Sequence, residues 1–458
     1  MKKFLIMFLC VIIFAFPLNV NATYNYDYMR NAIPSQAGYN VKNVLYFGMN
    51  EPQDIFFSGE NFYIADTGNN RILVLDYNLE NIIKIYDKFI FPNGKETQLN
   101  NPEGIYVSGE KIYIADTGNS RVIISDFNSE IIMEIEKPVS EIYDQNKTFI
   151  PEKILVDKSG NIYVISGNIT TGCMMFSSDG DFTGFFGANR SGRTAENIRN
   201  YFVSDKKKSR RKRNIPTGIN NFDISEDFIY TCTENSEKTS DIIKKLNSAG
   251  KNIFSDRNLH FGDYQSEYSN SGYKPPKISD IDISENGNIN FIDSETGHIF
   301  QYDKNCKLLF IMGNISGQSG GFEKPSAIET AGKNIYILDS GKNNITVFSE
   351  TEFGEKVHNA VDLYNSGYYA ETLNLWLEIL KYDGNYTYAY NGLAYAFLRN
   401  GEYKNSMKYA KLAGDSELYN KAFQEYRRIF LKENSGKILI IIFVISGIIL
   451  IKKRGEKF

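Results

Sequence analysis

A nine-residue motif occurs twice with a single change. Residues 63–71 read YIADTGNNR, and residues 113–121 read YIADTGNSR, fifty positions later. Each copy is the middle of a longer unit with three short β-rich runs separated by Gly and Asn. Weaker copies of this unit begin at Ile150, Ile215, Pro276 and Lys324. Aligning the six units places Asp66, Asp116, Ser166, Thr233, Asp293 and Asp339 at one shared position. The chain therefore repeats one structural unit six times.

The spacing of these units predicts their architecture. The gaps between the aligned positions are 50, 50, 67, 60 and 46 residues, so the repeat carries insertions. Repeats of about 40 to 50 residues with about four strands each predict a β-propeller, in which each sheet packs against its neighbours. Residues 41–48, VKNVLYFG, look like an outermost strand without a blade, and the sixth unit ends after three strands. We therefore expect residues 41–352 to form a six-bladed ring that the N-terminal strand completes, because closure removes an exposed sheet edge.

The units also resemble a known family. Their sequences follow the pattern P-x-G-I-x-V and then N-I-Y-V-A-D-T-G-N-N-R-I, which is similar to the NHL repeat. The resemblance is strongest in the first two units and covers roughly residues 43 to 350. It implies a binding or assembly role and does not identify a ligand.

The repeated Asp has a structural and a chemical interpretation. Residues 67–70 would form the turn between two strands, in which Gly and Asn tolerate positive φ and the Asp carboxylate accepts amide hydrogen bonds. A catalytic carboxylate is the alternative, but Asp recurs in four of the six units, which favours structure. The predicted structural turn residues are Asp66, Gly68, Asn69, Arg71, Asp116, Gly118, Asn119, Arg121, Asp293 and Asp339.

Residues 353–433 change from a strand pattern to a helical one. Gly367 and Gly401 lie thirty-four positions apart, which is the tetratricopeptide period, and this segment resembles two tetratricopeptide repeats. The matching apolar positions are Leu363 with Phe397 and Trp376 with Ala410, whereas Gly384 stands where that family usually has Pro. The resemblance implies peptide binding on a concave face, and a helical spacer is the alternative. Two repeats are few, so we expect a following helix, SELYNKAFQEYRRIFLKE, to cap them.

Both ends of the chain carry apolar runs. Residues 1–22 have the charged start, apolar middle and small-residue end of a signal peptide, with cleavage expected after Ala22. Residues 437–452 are expected to form a transmembrane helix, because flanking lysines can extend a fourteen-residue apolar run toward both membrane surfaces. The sequence therefore predicts a single-pass cell-membrane protein with its body outside and residues 453–458 in the cytoplasm.

Few residues suggest catalysis. After signal removal three cysteines remain, which is too few for a disulfide framework, and the three histidines lie in different segments. No catalytic or phosphate-binding motif occurs, so we predict no catalytic residue, metal site or cofactor. We therefore expect a non-enzymatic protein that recognises a partner or serves as a scaffold. An accessory subunit of a membrane complex would be one example of such a role. A metal-dependent lactonase or lyase that uses the central channel of the propeller is the alternative.

A basic stretch interrupts the third and fourth units. The residues predicted to bind a partner are Lys206, Lys207, Lys208, Arg210, Arg211, Lys212 and Arg213. Strand parity places this insertion on the same face of the ring as the turns, and a solvated surface loop is the alternative. A net charge of -4 argues against nucleic acid. The expected partner is a protein or peptide, with a glycan or an anionic surface polymer as further possibilities.

Overall fold

The computed structural model describes residues 23–189, 217–233, 242–254, 259–263, 276–318 and 320–455. The predicted signal peptide and the seven predicted basic partner-binding residues lie outside these ranges.

The strands are numbered in chain order. Ahead of the first repeat lie β1 (Tyr24–Tyr26), β2 (Ala32–Pro34) and β3 (Tyr39–Leu45). Blade one comprises β4 (Asp54–Ser58), β5 (Asn61–Asp66), β6 (Arg71–Asp76) and β7 (Ile82–Tyr86), and a hairpin of β8 (Lys88–Ile90) and β9 (Glu96–Gln98) follows it. Blade two comprises β10 (Pro102–Ser108), β11 (Lys111–Asp116), β12 (Arg121–Asp126) and β13 (Ile131–Ile135). Blade three comprises β14 (Pro151–Val156), β15 (Ile162–Ser166), β16 (Cys173–Phe176) and β17 (Phe182–Phe186).

The remaining blades follow the same order. The described part of blade four comprises β18 (Asn221–Ser225), β19 (Phe228–Cys232) and β20 (Ile243–Leu246). Blade five comprises β21 (Ile278–Ile283), β22 (Ile289–Asp293), β23 (His298–Tyr302) and β24 (Leu308–Met312). Blade six begins with β25 (Pro325–Ala331), β26 (Asn334–Asp339) and β27 (Asn344–Glu350).

Blade six closes the ring with a strand from the other end of the domain. Its strand order is β25-β26-β27-β3, and the antiparallel register pairs Ile345 with Leu45 and Glu350 with Tyr39. The prediction of a six-bladed propeller completed by an N-terminal strand is confirmed. The strand covers Tyr39–Leu45, slightly ahead of the predicted residues 41–48.

Burial explains why the repeated strands are almost continuously apolar. In β5 and β11, five of the six residues are buried, because each blade packs between two others and both faces of its sheet are covered. Between blades one and two, for example, Tyr63 and Val74 pack with Ile105 and Ile114. The core is therefore a series of layers between blades around the ring.

Five helices follow the ring. They are α1 (Glu352–Asn365), α2 (Leu373–Tyr382), α3 (Thr387–Arg399), α4 (Tyr403–Leu412) and α5 (Ser416–Gly455). Gly367 follows α1 with φ of 87°, and Gly401 follows α3 with φ of 78°, a left-handed conformation that glycine adopts readily. Trp376 and Ala410 are both fully buried. Two helical hairpins thus stand where two repeats were expected, and the tetratricopeptide assignment stays a prediction.

The helices and the ring share one hydrophobic core. This core joins Tyr39 and Phe310 of the ring to Phe353, Trp376 and Tyr386 of the helices. The β1–β2 hairpin, which the sequence did not predict, reinforces the junction. The Asn25 amide donates to the Leu309 carbonyl at 3.1 Å, and the Ser35 hydroxyl donates to Asp383 at 2.7 Å. The propeller and the helical hairpins therefore pack as one unit.

The last helix differs from its prediction. The sequence suggested a capping helix and a separate membrane helix, but α5 is one continuous helix of 40 residues. Its first turns pack on the helical hairpins through Leu418 and Ala422, which are buried. The segment between this packed part and the apolar run contains no Pro, which would break a helix, so α5 continues through it.

Candidate functional site

The repeated Asp holds each blade together at its turn. The fully buried carboxylate of Asp66 accepts hydrogen bonds from the Asn50 backbone N–H at 2.7 Å, the Asn69 side-chain amide at 2.9 Å and Arg71 Nε at 2.6 Å. Asp116 has the equivalent bonds in blade two, including one from Arg121 Nε at 2.7 Å. The carboxylate thus ties the turn between the second and third strands to the segment that enters the blade.

The same bond recurs around the ring with a fixed offset. Three further residues at the repeated position accept from a backbone N–H sixteen residues earlier: Ser166 from Ile150 at 3.1 Å, Asp293 from Lys277 at 3.0 Å, and Asp339 from Glu323 at 2.8 Å. Asp339 also accepts the turn amide of Gly341 at 2.9 Å. All ten predicted turn residues therefore lie at or beside turns, and the aspartates among them are engaged within their own blades.

The reason for the turn glycine differs from the sequence expectation. Asn70 and Ser120 hold the left-handed conformation, with φ of 54° each, whereas Gly68 and Gly118 do not. A Cβ on Gly68 would lie 2.8 Å from the backbone oxygen of Asn50. Glycine is needed here because two chain segments approach closely, so the expectation that it supplies positive φ is wrong.

A second group of polar residues lies at the centre of the ring. The innermost strands place Asp54, Lys153, Asn221, Asp223, Asp280, Asp282 and Glu329 around a small cavity, with Phe56, Tyr106 and Leu155. Sequence reasoning missed this group, because its members come from different units. The available signal was the alternation of charged and apolar residues in innermost strands such as SDIDIS.

Lys153 connects two blades across the centre. Its Nζ lies 2.6 Å from Asp54 Oδ1 and 3.0 Å from the Gln53 carbonyl oxygen. Burial lowers the pKa of Lys153, but the carboxylates of Asp54 and Asp280 raise it by more, so the amine stays charged. A strand of blade three is thereby held to a strand of blade one.

The central carboxylates also join neighbouring blades. Each accepts a backbone N–H from the next blade: Asp54 from Ile105 at 2.9 Å, Asp223 from Ile283 at 2.6 Å, Asp280 from Ile328 at 2.7 Å and Glu329 from Phe57 at 2.9 Å. Burial raises the pKa of Asp280 to about 7 and that of Asp282 to about 6. These bonds account for the carboxylates as parts of the ring.

The chemistry open to this centre is limited by its size. The cavity measures about 40 Å³, which is room for a few water molecules. Among the described residues, no group of three or more His, Cys, Asp or Glu side chains is arranged to hold a metal ion.

The described residues on either side of the basic stretch lie close together. The Asn189 side chain donates to the Thr217 carbonyl at 2.7 Å and to the Thr233 hydroxyl at 3.0 Å. Thr233 occupies the repeated turn position in blade four. The chain therefore leaves and re-enters the described ring beside the turns of that blade.

In the described part of the chain, one helix is long and apolar enough to cross a membrane. It is α5 over Ser416–Lys452, with mean hydropathy 2.3 in its most apolar window, and none of that window is buried. Its apolar side chains are exposed, for example Phe443 at 76% and Ile451 at 74%. Such exposure is unfavourable in water, and a lipid or protein environment would remove it.

Comparisons with known proteins agree with the repeat. Residues 99–124 match the family model of the NHL repeat, as the sequence pattern predicted. No curated protein matches the chain in sequence.

Several solved structures resemble its ring. Virginiamycin B lyase from Staphylococcus aureus is 13% identical with a TM-score of 0.42, covering 68% of this chain and 100% of its own. Hydrazine synthase from Kuenenia stuttgartiensis is 11% identical with a TM-score of 0.40, covering 67% and 97%. Likenesses this low carry no argument about activity, and the propeller assignment rests on the strand order of this chain.

Proposed function

We propose that this NHL-repeat propeller is a recognition or scaffold protein held at a membrane by α5, with the ring and helical hairpins outside. The partner would be a protein, peptide or glycan. The observation that carries this proposal is the continuity of α5, whose first turns pack on the helical hairpins and whose last turns are apolar and exposed.

The lengths are compatible with such an anchor. The apolar residues 438–451 extend about 21 Å as a helix, and Lys437 and Lys452 flank them. A bilayer core is about 30 Å thick, and lysine side chains at both ends can reach the interfaces. The roughly 9 Å of the core that remains is about 4.5 Å at each end, a distance that an extended lysine side chain can span to reach the interface.

The shared core gives the anchor a functional consequence. Because the helical hairpins pack on blades five and six, the ring would be held in a defined orientation relative to α5. A fixed orientation suits a protein that presents a binding surface to partners, since less freedom is lost on binding.

Membrane extraction tests the anchor. Cells that produce the full chain should retain it in membranes after alkaline carbonate washing. A variant with Ile442→Asp and Ile445→Asp should be released, because charged groups in a bilayer are costly and both positions are exposed. The matched control carries Ile442→Leu and Ile445→Leu and should stay in the membrane. Release of the unaltered chain by carbonate would refute the proposal.

A further inference from the structure

A polar cleft lies where the helices meet the ring. It is bounded by α1 and by the loops between the first and second strands of blades five and six, and its volume is about 130 Å³. Its lining includes four asparagines, Asn286, Asn288, Asn334 and Asn359. We call it the junction cleft.

One side chain that lines this cleft, Asn288, makes no side-chain hydrogen bond within the described part of the protein. Asn288 is only 5% exposed. Neither polar atom of the Asn288 amide is fully enclosed, so solvent or a ligand in the cleft can hydrogen-bond to it. The remaining exposure of Asn288 is toward the cleft that it lines.

Blade three contains a matched turn in which the same residue is satisfied. Asn161 occupies the position of Asn288, and its amide donates to Asp157 at 2.8 Å. In blade five the residue equivalent to Asp157 is Ser284, whose hydroxyl accepts only the backbone N–H of Asn288, at 3.2 Å. The replacement of Asp by Ser thus leaves the Asn288 amide available to another molecule.

The residues at the floor of the cleft hydrogen-bond to one another. His358 Nε2 donates to Gln301 Oε1 at 2.7 Å, and the Gln301 amide donates to Tyr39 at 3.1 Å and to Asn290 at 2.9 Å. His358 Nδ1 contacts the Glu350 carboxylate. These groups satisfy one another, so they shape the cleft and leave its walls to contact a ligand.

The composition of the walls indicates the ligand class. The cleft offers few apolar side chains, which disfavours a lipid or a typical apolar small molecule. Lys333 pairs with Glu355 at 2.6 Å, and His358 contacts Glu350. Glu285 and Asp362 add carboxylates that are unpaired among the described residues, so the cleft is acidic and disfavours an anionic ligand. Neutral amides both donate and accept hydrogen bonds, and so do hydroxyl groups.

We infer that the junction cleft binds a neutral saccharide unit through the Asn288 amide. This inference rests on the proposed recognition function and deepens it by naming a ligand class. The sugar hydroxyls satisfy Asn288, and the neighbouring asparagines at the rim contact the rest of the unit.

The test uses the full chain in a detergent without a sugar headgroup. Maltotetraose and chitotetraose are titrated to about 10 mM and followed by saturation-transfer NMR, because a Kd of about 1 mM is then nearly saturated. At least one should bind, and Asn288→Leu should weaken binding by about tenfold or more. The control Asn161→Leu should bind as the unaltered chain does.

Melting temperatures separate a binding role from a structural one. Asn288→Leu should keep or raise the melting temperature, since no protein hydrogen bond is lost, whereas Asn161→Leu should lower it. The inference is overturned if neither tetrasaccharide binds, if triglycine binds in their place, or if Asn288→Leu binds as tightly as the unaltered chain. Each result is independent of carbonate extraction, so failure of the cleft leaves the anchor proposal standing.

Discussion

Replacing the repeated Asp should lower the free energy of unfolding, and the loss should be larger where the carboxylate accepts more hydrogen bonds and pairs with a more buried arginine. In blade two, Asp116→Ala removes a fully buried acceptor of three hydrogen bonds, one of them from Arg121, which is 8% exposed. Breaking one partner of a buried ion pair costs about 3 to 5 kcal/mol, because the other charge is left buried. Arg121 keeps Glu134 at 2.9 Å, which favours the lower end of that range.

Two other blades supply graded comparisons. Asp66→Ala should cost less than Asp116→Ala, because the Arg71 side chain is 23% exposed and water can solvate it. Ser166→Ala removes one neutral hydrogen bond from Ile150, which is worth about 1 kcal/mol. The expected order of destabilisation is therefore Asp116, then Asp66, then Ser166.

Urea unfolding of the full chain in detergent, followed by far-UV circular dichroism, measures this order. The double variant Asp116→Ala with Arg121→Met should recover part of the loss, because it also removes the unpaired charge. A destabilisation by Asp116→Ala no larger than that by Ser166→Ala would contradict this order.

Three further predictions concern the ring as a whole. Deleting β3 should lower the melting temperature by several degrees and broaden the unfolding transition. Deleting the β8–β9 hairpin, which completes no blade, should have a smaller effect on the melting temperature. Equal effects of the two deletions would contradict closure of the ring by β3. Trp376 is the single tryptophan of the chain and lies in the core shared by the ring and the helices. Its fluorescence and the circular dichroism of the protein should therefore change at the same urea concentration. Two separate transitions would contradict the packing of ring and helices as one unit. Burial raises the folded pKa of Asp280 to about 7, and burial together with Glu103 does the same for Glu152. The folded state then binds more protons than the unfolded state, and the resulting stability is present at low pH and lost as pH rises through about 7. The free energy of unfolding should fall by about 1 kcal/mol for Asp280 between about pH 6.5 and 8, and by less for the partly exposed Glu152, whose charge water screens; a rise over that interval would contradict the assignment.

The ring could be predicted because its signals are local. The turn residues recur at nearly constant spacing, and each unit alternates strand and turn chemistry within about 50 residues. Closure of the ring could also be inferred, because the N-terminal strand belongs to no repeat and the sixth repeat lacks a fourth strand. Period and turn composition therefore determine the architecture.

The rest depends on residues that are distant in sequence. Gly68 is required by the approach of Asn50, and Asp54 meets Lys153 ninety-nine positions later, so neither contact leaves a local pattern. The β1–β2 hairpin has no copy among the repeats. Asn288 looks like its counterpart Asn161 in sequence, and only the contacts reveal that one amide is bonded and the other is not.

Site-specific labelling on intact cells tests the central claim most directly. The described native cysteines Cys173, Cys232 and Cys306 are buried, so an introduced cysteine can be followed with a membrane-impermeant maleimide. Val139, which is 95% exposed on the ring, and Lys452, at the end of the apolar run, are the two positions. We expect Val139→Cys to be labelled on intact cells and Lys452→Cys to be labelled only after permeabilisation. Labelling of Lys452→Cys but not Val139→Cys on intact cells would contradict an anchored propeller that lies outside the membrane.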